Sequence, residues 1–133
     1  MDAVSGSHSV MSMILNANQI TCQGAEYLFQ TLAKSQTLTH LELANPDCLA
    51  SKIKLGNRGA ESLSEYLQSP HCLLSIIDLT GAQLTSEAMI SVFTGITSCK
   101  SLVSLNLSSN NIGNQLPAFE QLTTVLDPTF HLV

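Results

Sequence analysis

The chain has 133 residues, one domain's worth, of which 44% are hydrophobic and 11% charged, against a charged share near ~25% in ordinary domains. That apolar content suffices for a core and excludes disorder as the default. A net charge of −5 with five lysines and arginines excludes a phosphate-tracking surface, so no nucleic-acid partner is expected. No apolar run is long enough to span a bilayer. The start, Met1-Asp2-Ala3-Val4-Ser5-Gly6-Ser7, lacks the positive charge and apolar stretch of a signal peptide. No membrane partner is expected, and the expected location is cytoplasmic. With so few charges the surface is unusually neutral. Either another molecule covers part of it, or all elements donate to the core.

Residues 1–9 are small and polar and read as a flexible lead-in. Val10, Met13, Leu15, Asn18 and Ile20 then begin a pattern that recurs. Ala25, Leu28 and Leu32 follow on one helical face, at intervals of three and four. Gly24, before them, is expected to let the helix approach the strands closely. The second occurrence is Leu38, Leu41 and Leu43, with Pro46 where an asparagine should stand, then Leu55 and a helix with Leu63 and Leu67. From Leu15 to Ile20 is five residues, whereas from Leu43 to Leu55 is twelve. About seven residues, 47–53, therefore read as an inserted loop. The third is Leu74, Ile77, Leu79, Ala82 and Leu84, with helical Ala88, Met89, Val92 and Ile96.

The fourth is the cleanest: Leu102, Leu105, Leu107, Asn110 and Ile112 spell L-x-x-L-x-L-x-x-N-x-I. Pro117 suits a helix start, and Phe119, Leu122 and Leu126 continue it. Phe130-His131-Leu132-Val133 reads as the start of a further coil. Leu15 to Leu43 and Leu79 to Leu107 are each 28 residues apart, and Leu43 to Leu79 is 36, one period lengthened by the insertion and one further residue. The resulting division is 10–37, 38–73 with the insertion 47–53, 74–101, 102–126, and a truncated start of a coil at 127–133.

This consensus resembles that of the leucine-rich repeat. The 28-residue period, with Gly-Ala at the helix start, is similar to the ribonuclease-inhibitor-like subfamily, over residues 10 to about 126. The resemblance implies an α/β fold: a right-handed solenoid of about four strand-helix repeats, with a parallel sheet on the concave face and helices outside. It also implies a non-catalytic module for protein recognition, with no cofactor. The asparagine that turns the chain and bonds backbone of the next coil is present at Asn18 and Asn110 and lost at Pro46 and Ala82.

On this template the outward strand positions form three columns. They are Ser12, His40, Ile76 and Ser104; Ile14, Glu42, Asp78 and Asn106; and Asn16, Ala44, Thr80 and Ser108. Of these, His40, Glu42, Ile76, Asp78, Thr80, Ser104 and Asn106 are the candidate protein-binding residues of the concave face. Glu42 and Asp78 on neighbouring strands, ~4.8 Å apart, could hold a metal or raise one another's pKa; the plain alternative is a solvated acidic patch. His40, Asp78 and Ser104 are the residue types of a hydrolase triad. His40 and Ser104, however, stand two strands apart, ~9.6 Å, too far for direct proton transfer. No catalytic residue or metal ligand is therefore assigned. A hydrolase or metal protein using His40, Asp78, Ser104 and Glu42 is the alternative from another class. His8, His71 and His131 are scattered and form no ligand spacing.

Lys52, Lys54 and Arg58 are three of the five cations and suggest a basic insertion loop that engages an acidic partner segment. The cysteines, Cys22, Cys48, Cys72 and Cys99, form no C-x-x-C pair and read as reduced core residues. Tryptophan is absent, and Tyr27 and Tyr66 both fall on helices, so the concave face lacks the usual aromatic anchors of tight interfaces. Neither flank is long enough for an ordinary cap, which a stack of repeats needs at its ends. Either another protein is expected to stack on an end, or the chain is a piece of a longer solenoid; the expected partners are other proteins, stacking on an uncapped end or docking on the concave face. The first expectation for function is a structural subunit of a cytoskeletal or ciliary assembly. The alternative is a free-standing regulator or inhibitor.

Overall fold

A computed structural model describes residues 10–45, 53–110 and 131–132. Strands and helices alternate: β1 (Ser12–Ile14), α1 (Cys22–Leu32), β2 (His40–Glu42), α2 (Gly56–Gln68), β3 (Ile76–Asp78), α3 (Ser86–Ser98), β4 (Ser104–Asn106) and β5 (His131–Leu132). The strands make one parallel sheet in the order β1-β2-β3-β4-β5. Parallel neighbours need a crossover between them, and α1, α2 and α3 supply it between the first four.

Each of β1 to β4 is three residues long because only its middle residue faces the core. Leu41, Ile77 and Leu105 are buried and share one register with Met13. The ladder continues past the strands. Leu15 N–H donates to Glu42 O at 2.9 Å, Leu43 N–H to Asp78 O at 2.8 Å and Leu79 N–H to Asn106 O at 2.8 Å. One step on, Ala17 donates to Ala44 O, Asn45 to Thr80 O and Gly81 to Ser108 O. The insertion between Leu43 and Leu55 therefore leaves the strand register unchanged. Leu15, Leu43, Leu79 and Leu107 stand where the spacing puts them, in line at the ends of adjacent parallel strands.

The helices bury the faces the periodicity picks out: Ala25, Leu28 and Leu32 in α1, Leu63 and Leu67 in α2, and Ala88, Met89, Val92 and Ile96 in α3. α1 packs on α2 and α2 on α3, so three helices form the second layer and the core lies between it and the sheet. Among the helix starts, Thr21 and Thr85 cap with their side chains, accepting from Gly24 N–H and Ala88 N–H. Thr85 Oγ1 also donates to Asn57 Oδ1 at 2.7 Å, tying the cap of α3 to the first turn of α2. Thr85→Ala removes both bonds. It should lower stability by about 1 kcal/mol, measured as a shift in urea midpoint with unchanged slope.

Several expectations are corrected. Gly24 does not mark a close approach: a Cβ there would meet Thr21 Oγ1 at 3.4 Å, an ordinary contact. Close approaches between helices fall instead at Gly59, whose Cβ would lie 3.1 Å from Ala25 Cβ, and Gly95, whose Cβ would lie 2.8 Å from Ser64 Cα; Gly56 and Gly81 are also crowded, their Cβ positions 2.7 Å from Cys22 Sγ and 3.0 Å from Asn45 O. Ile53 is not loop but core: it is fully buried and pairs with Ile20. Pro46 and residues 47–52 of the insertion lie outside the described residues, as do the lead-in and residues 111–130 with the fourth helix expected there.

The asparagine of the second coil is displaced, not lost. Asn45, one residue before Pro46, is buried; its Nδ2 donates to Ile53 O at 3.0 Å and to Gly81 O at 2.7 Å. Its Oδ1 accepts from Ile53 N–H at 3.1 Å. In the other coils that position holds Ala17, Gly81 and Ser109, all left-handed with φ near 60°. Asn110 behaves differently from the expectation in direction. It reaches the preceding coil, with Nδ2 on Leu79 O at 2.9 Å and Oδ1 accepting from Leu84 N–H at 3.0 Å. Asn18 has no such coil among the described residues, and its exposed side chain reaches only Asn16 O, at 3.4 Å.

Candidate functional site

The face of the sheet turned away from the helices is the candidate site. Alternation along each strand puts residues two apart on the same side, so each of β1 to β4 gives this face two residues. Register then lines them up: Ser12 beside His40, His40 beside Ile76, and Ile76 beside Ser104. The second row runs Ile14, Glu42, Asp78, Asn106. Both rows are those read from the sequence. In the third, Ala44 is buried and Asn16 lies over it, its Oδ1 accepting from Ala44 N–H at 2.8 Å.

The polar groups of this face are already engaged with one another. Glu42 is held from two sides, by His40 Nε2 at 3.0 Å on one oxygen and by Asn16 Nδ2 at 3.0 Å on the other. Asp78 Oδ1 accepts from the Thr80 backbone N–H at 3.0 Å and from Thr80 Oγ1 at 2.6 Å, closing the turn after β3. Asn106 Oδ1 does the same after β4, accepting from Ser108 N–H at 3.0 Å. Such turns are a standard use of Asp and Asn. His40 thus meets Glu42 rather than Asp78, and Ser104 lies two strands from His40. The triad of residue types is not assembled into a triad. Glu42 and Asp78 stand side by side, but among the described residues no group of three or more His, Cys, Asp or Glu is placed to hold a metal.

Between these polar groups lie apolar side chains. Ile14 is 59% exposed at the edge and Ile76 is 39% exposed at the centre. A further row before the strands, joined by Thr39 N–H to Met11 O, Ser75 N–H to Thr39 O and Val103 N–H to Ser75 O, adds exposed Met11 and Val103. The sequence pattern missed this fringe because the repeat consensus leaves those positions unspecified; a count of apolar residues one before each strand would have found it.

The basic trio does not stay together. Lys52 lies outside the described residues and Lys54 is exposed. Arg58 belongs to the first turn of α2, not to the loop, and its Nε contacts Glu26 Oε2 on α1 at 2.9 Å. Both side chains of that pair are partly exposed, so its effect on stability is small.

Parallel three-residue strands joined by helices, with a leucine at each buried strand centre or its equivalent, define the class: an α/β fold of stacked strand-helix units. Comparison with known proteins gives the family. A model of the leucine-rich repeat matches residues 98–115. NACHT, LRR and PYD domains-containing protein 3 of Macaca mulatta is 32% identical over 109 residues, 82% of this chain and 10% of that protein. The protein of the same series numbered 14, of Mus musculus, is 30% identical over 102 residues, 77% of this chain and 10% of that protein. Ribonuclease inhibitor of Sus scrofa is 35% identical over 95 residues, 71% of this chain and 19% of that protein. The chain is a leucine-rich-repeat protein. It spans about a tenth of the length of the first two relatives and a fifth of the third. No helix among the described residues is long and apolar enough to cross a membrane.

Proposed function

We propose that this chain is a non-catalytic protein-recognition module, a solenoid of about four 28-residue strand-helix repeats whose concave sheet face takes the partner. The observation that carries the reading is the composition of that face: exposed Ile14 and Ile76 sit in register with Ser104 and with a polar frame of His40, Glu42, Asp78, Thr80 and Asn106 held by hydrogen bonds. Apolar contacts among pre-oriented hydrogen-bonding groups are what protein interfaces are made of. One relative is named for an enzyme it inhibits, which favours the regulator or inhibitor reading. A cytoskeletal or ciliary assembly draws no support from the relatives' names. The acidic pair Glu42 and Asp78 suits a partner segment with apolar and basic residues; Lys54 and Lys52, where they reach a partner, suit an acidic one.

The test is affinity capture from native extract by the natural chain and, in parallel, by Ile76→Asp and Asp78→Lys chains of unchanged stability. A partner seated on this face should be retained at least about tenfold less by both variants, the effect of losing a central contact. Equal retention by all three chains would contradict the concave face as the site.

A second reading rests on the first coil. Val10, Met13, Leu15 and Ile20 are only partly buried, whereas their counterparts Leu38, Leu41, Leu43 and Leu55 in the next coil are buried to 1% exposure or less. Among the described residues the outer side of β1 therefore offers apolar surface and a parallel strand edge, a place where a further coil or another protein can stack.

A further inference from the structure

The helix layer has a groove of its own, between α2 and α3. It is shallow, with a volume of about 270 Å³, and is lined by Glu61, Ser64 and Glu65 of α2 and by Ile90, Ser91 and Thr94 of α3. Residues four apart stack on one face of a helix, so Glu61 and Glu65 form one bank, and Ile90 and Thr94 the other. The close approach of Gly95 to Ser64 joins the two banks. Their chemistry differs. Ile90 is 55% exposed, although the other large apolar residues of α3, Met89, Val92, Phe93 and Ile96, are buried. Glu61 and Glu65 are exposed and, among the described residues, have no partner. Every other described carboxylate has one: Glu26 has Arg58, Glu42 has His40, Asp78 has Thr80, and Glu87 has Asn57 Nδ2 at 2.8 Å.

The repeat explains this deficit. Matched on their buried residues, Ala25, Leu28 and Leu32 of α1 correspond to Ala60, Leu63 and Leu67 of α2 and to Met89, Val92 and Ile96 of α3. Glu26 then corresponds to Glu61, and Arg58 to Glu87. Glu26 receives a cation from the next helix, Arg58 Nε lying 2.9 Å from its Oε2. The equivalent position for Glu61 holds a carboxylate instead, and no cation lines the groove. The hydroxyls add acceptors: Thr94 Oγ1 donates its proton to Ile90 O at 2.9 Å and keeps its lone pairs, and Ser64 Oγ already accepts from Gln68 Nε2 at 3.0 Å. A group that fits here donates hydrogen bonds, carries positive charge and covers an isoleucine.

We propose that this groove docks an arginine side chain from a segment of another protein, its methylene stem along Ile90 and its guanidinium between Glu61 and Glu65. Arginine has five donors in a planar fork and no acceptor, enough for two carboxylates whose Cβ atoms stand ~5–6 Å apart on successive turns. A lysine ammonium is a compact, strongly hydrated point charge and meets one carboxylate at a time. The arginine stem covers apolar surface while its head stays at the polar rim. The volume is below the ~300–1,000 Å³ of pockets that enclose a whole small ligand, which suits one anchoring side chain of a larger partner. The groove lies on the helix layer, so its occupancy is independent of any partner on the open face of the sheet.

The test is a titration of the isotope-labelled full chain with the blocked peptide acetyl-Ala-Leu-Arg-Leu-Ala-amide at low salt, followed through backbone amide NMR shifts. Saturable shifts are expected at Glu61, Glu65, Ile90 and Thr94. Citrulline in place of the peptide's arginine keeps the shape and removes the charge, and should weaken binding at least about tenfold, the effect of losing a charge-assisted pair. A chain carrying both Glu61→Gln and Glu65→Gln should lose the arginine peptide by the same factor. Equal affinity for the arginine and citrulline peptides, or for the arginine and lysine peptides, would overturn the proposal. So would shifts confined to the sheet face around Glu42 and Asp78, or no saturable shift at millimolar peptide. Acetyl-arginine amide binding as tightly as the whole peptide would overturn the assignment to a protein segment. The peptide comparison on the natural chain decides even where the double variant fails to fold.

Discussion

Asn45→Ala should cost the chain about 3 kcal/mol of stability, because its side chain closes three hydrogen bonds in a place water does not reach. The residue is 2% exposed. Without it the Ile53 N–H loses its partner and Gly81 O loses its donor, while Ile53 O keeps only Gln83 Nε2 at 3.3 Å. A buried peptide group left without a partner costs ~1–3 kcal/mol. The effect is also topological. Asn45 and Ile53 are the described residues on either side of 46–52, so one side chain ties the two to each other and to the next coil at Gly81. Asn18→Ala is the matched control: its amide makes one exposed 3.4 Å contact, and its loss should stay within ~0.5 kcal/mol. Urea denaturation of both variants checks the pair of values.

Gly95→Leu should be comparably damaging, at least about 3 kcal/mol, through overpacking rather than loss of a bond. A Cβ at that point of α3 would lie 2.8 Å from Ser64 Cα and 3.1 Å from Ser64 O of α2. Backbone atoms cannot swing aside as a side-chain tip can, so the two helices must part and α3 must lift off the layer. Gly95→Ala sets the sign of the competition. Helix propensity alone favours it by ~1 kcal/mol, yet the collision is with backbone, so a net loss of stability is expected. A gain in thermal midpoint for the alanine variant would show that α2 and α3 separate at little cost.

Both positions show which parts of the molecule are legible in its residues. Period and register are: apolar residues at Leu41, Ile77 and Leu105 mark strand centres because each must face the core, and a one-residue slip would turn the strand over. The rows of the open face follow from that alternation without further information. What eludes pattern is compensation. Pro46 stands at the expected asparagine position, and nothing in the local sequence says that Asn45 does the bonding from the neighbouring residue. Gly24 and Gly95 look alike in the chain, but only the distance to α2 makes one of them indispensable. The charged residues are legible as types and not as pairings. His40 could have served Asp78 across the strands, and instead it meets Glu42 on its own strand, two residues along, where no backbone has to move.

Successive coils lie in a single parallel register across the insertion. Scalar couplings through the hydrogen bonds of an isotope-labelled full chain test it directly. They should link Leu15 N to the Glu42 carbonyl carbon, Leu43 N to that of Asp78, and Leu79 N to that of Asn106. Coupling of Leu43 N to a carbonyl other than that of Asp78, in a chain that shows the other two, would break the register at the insertion and with it the continuous face.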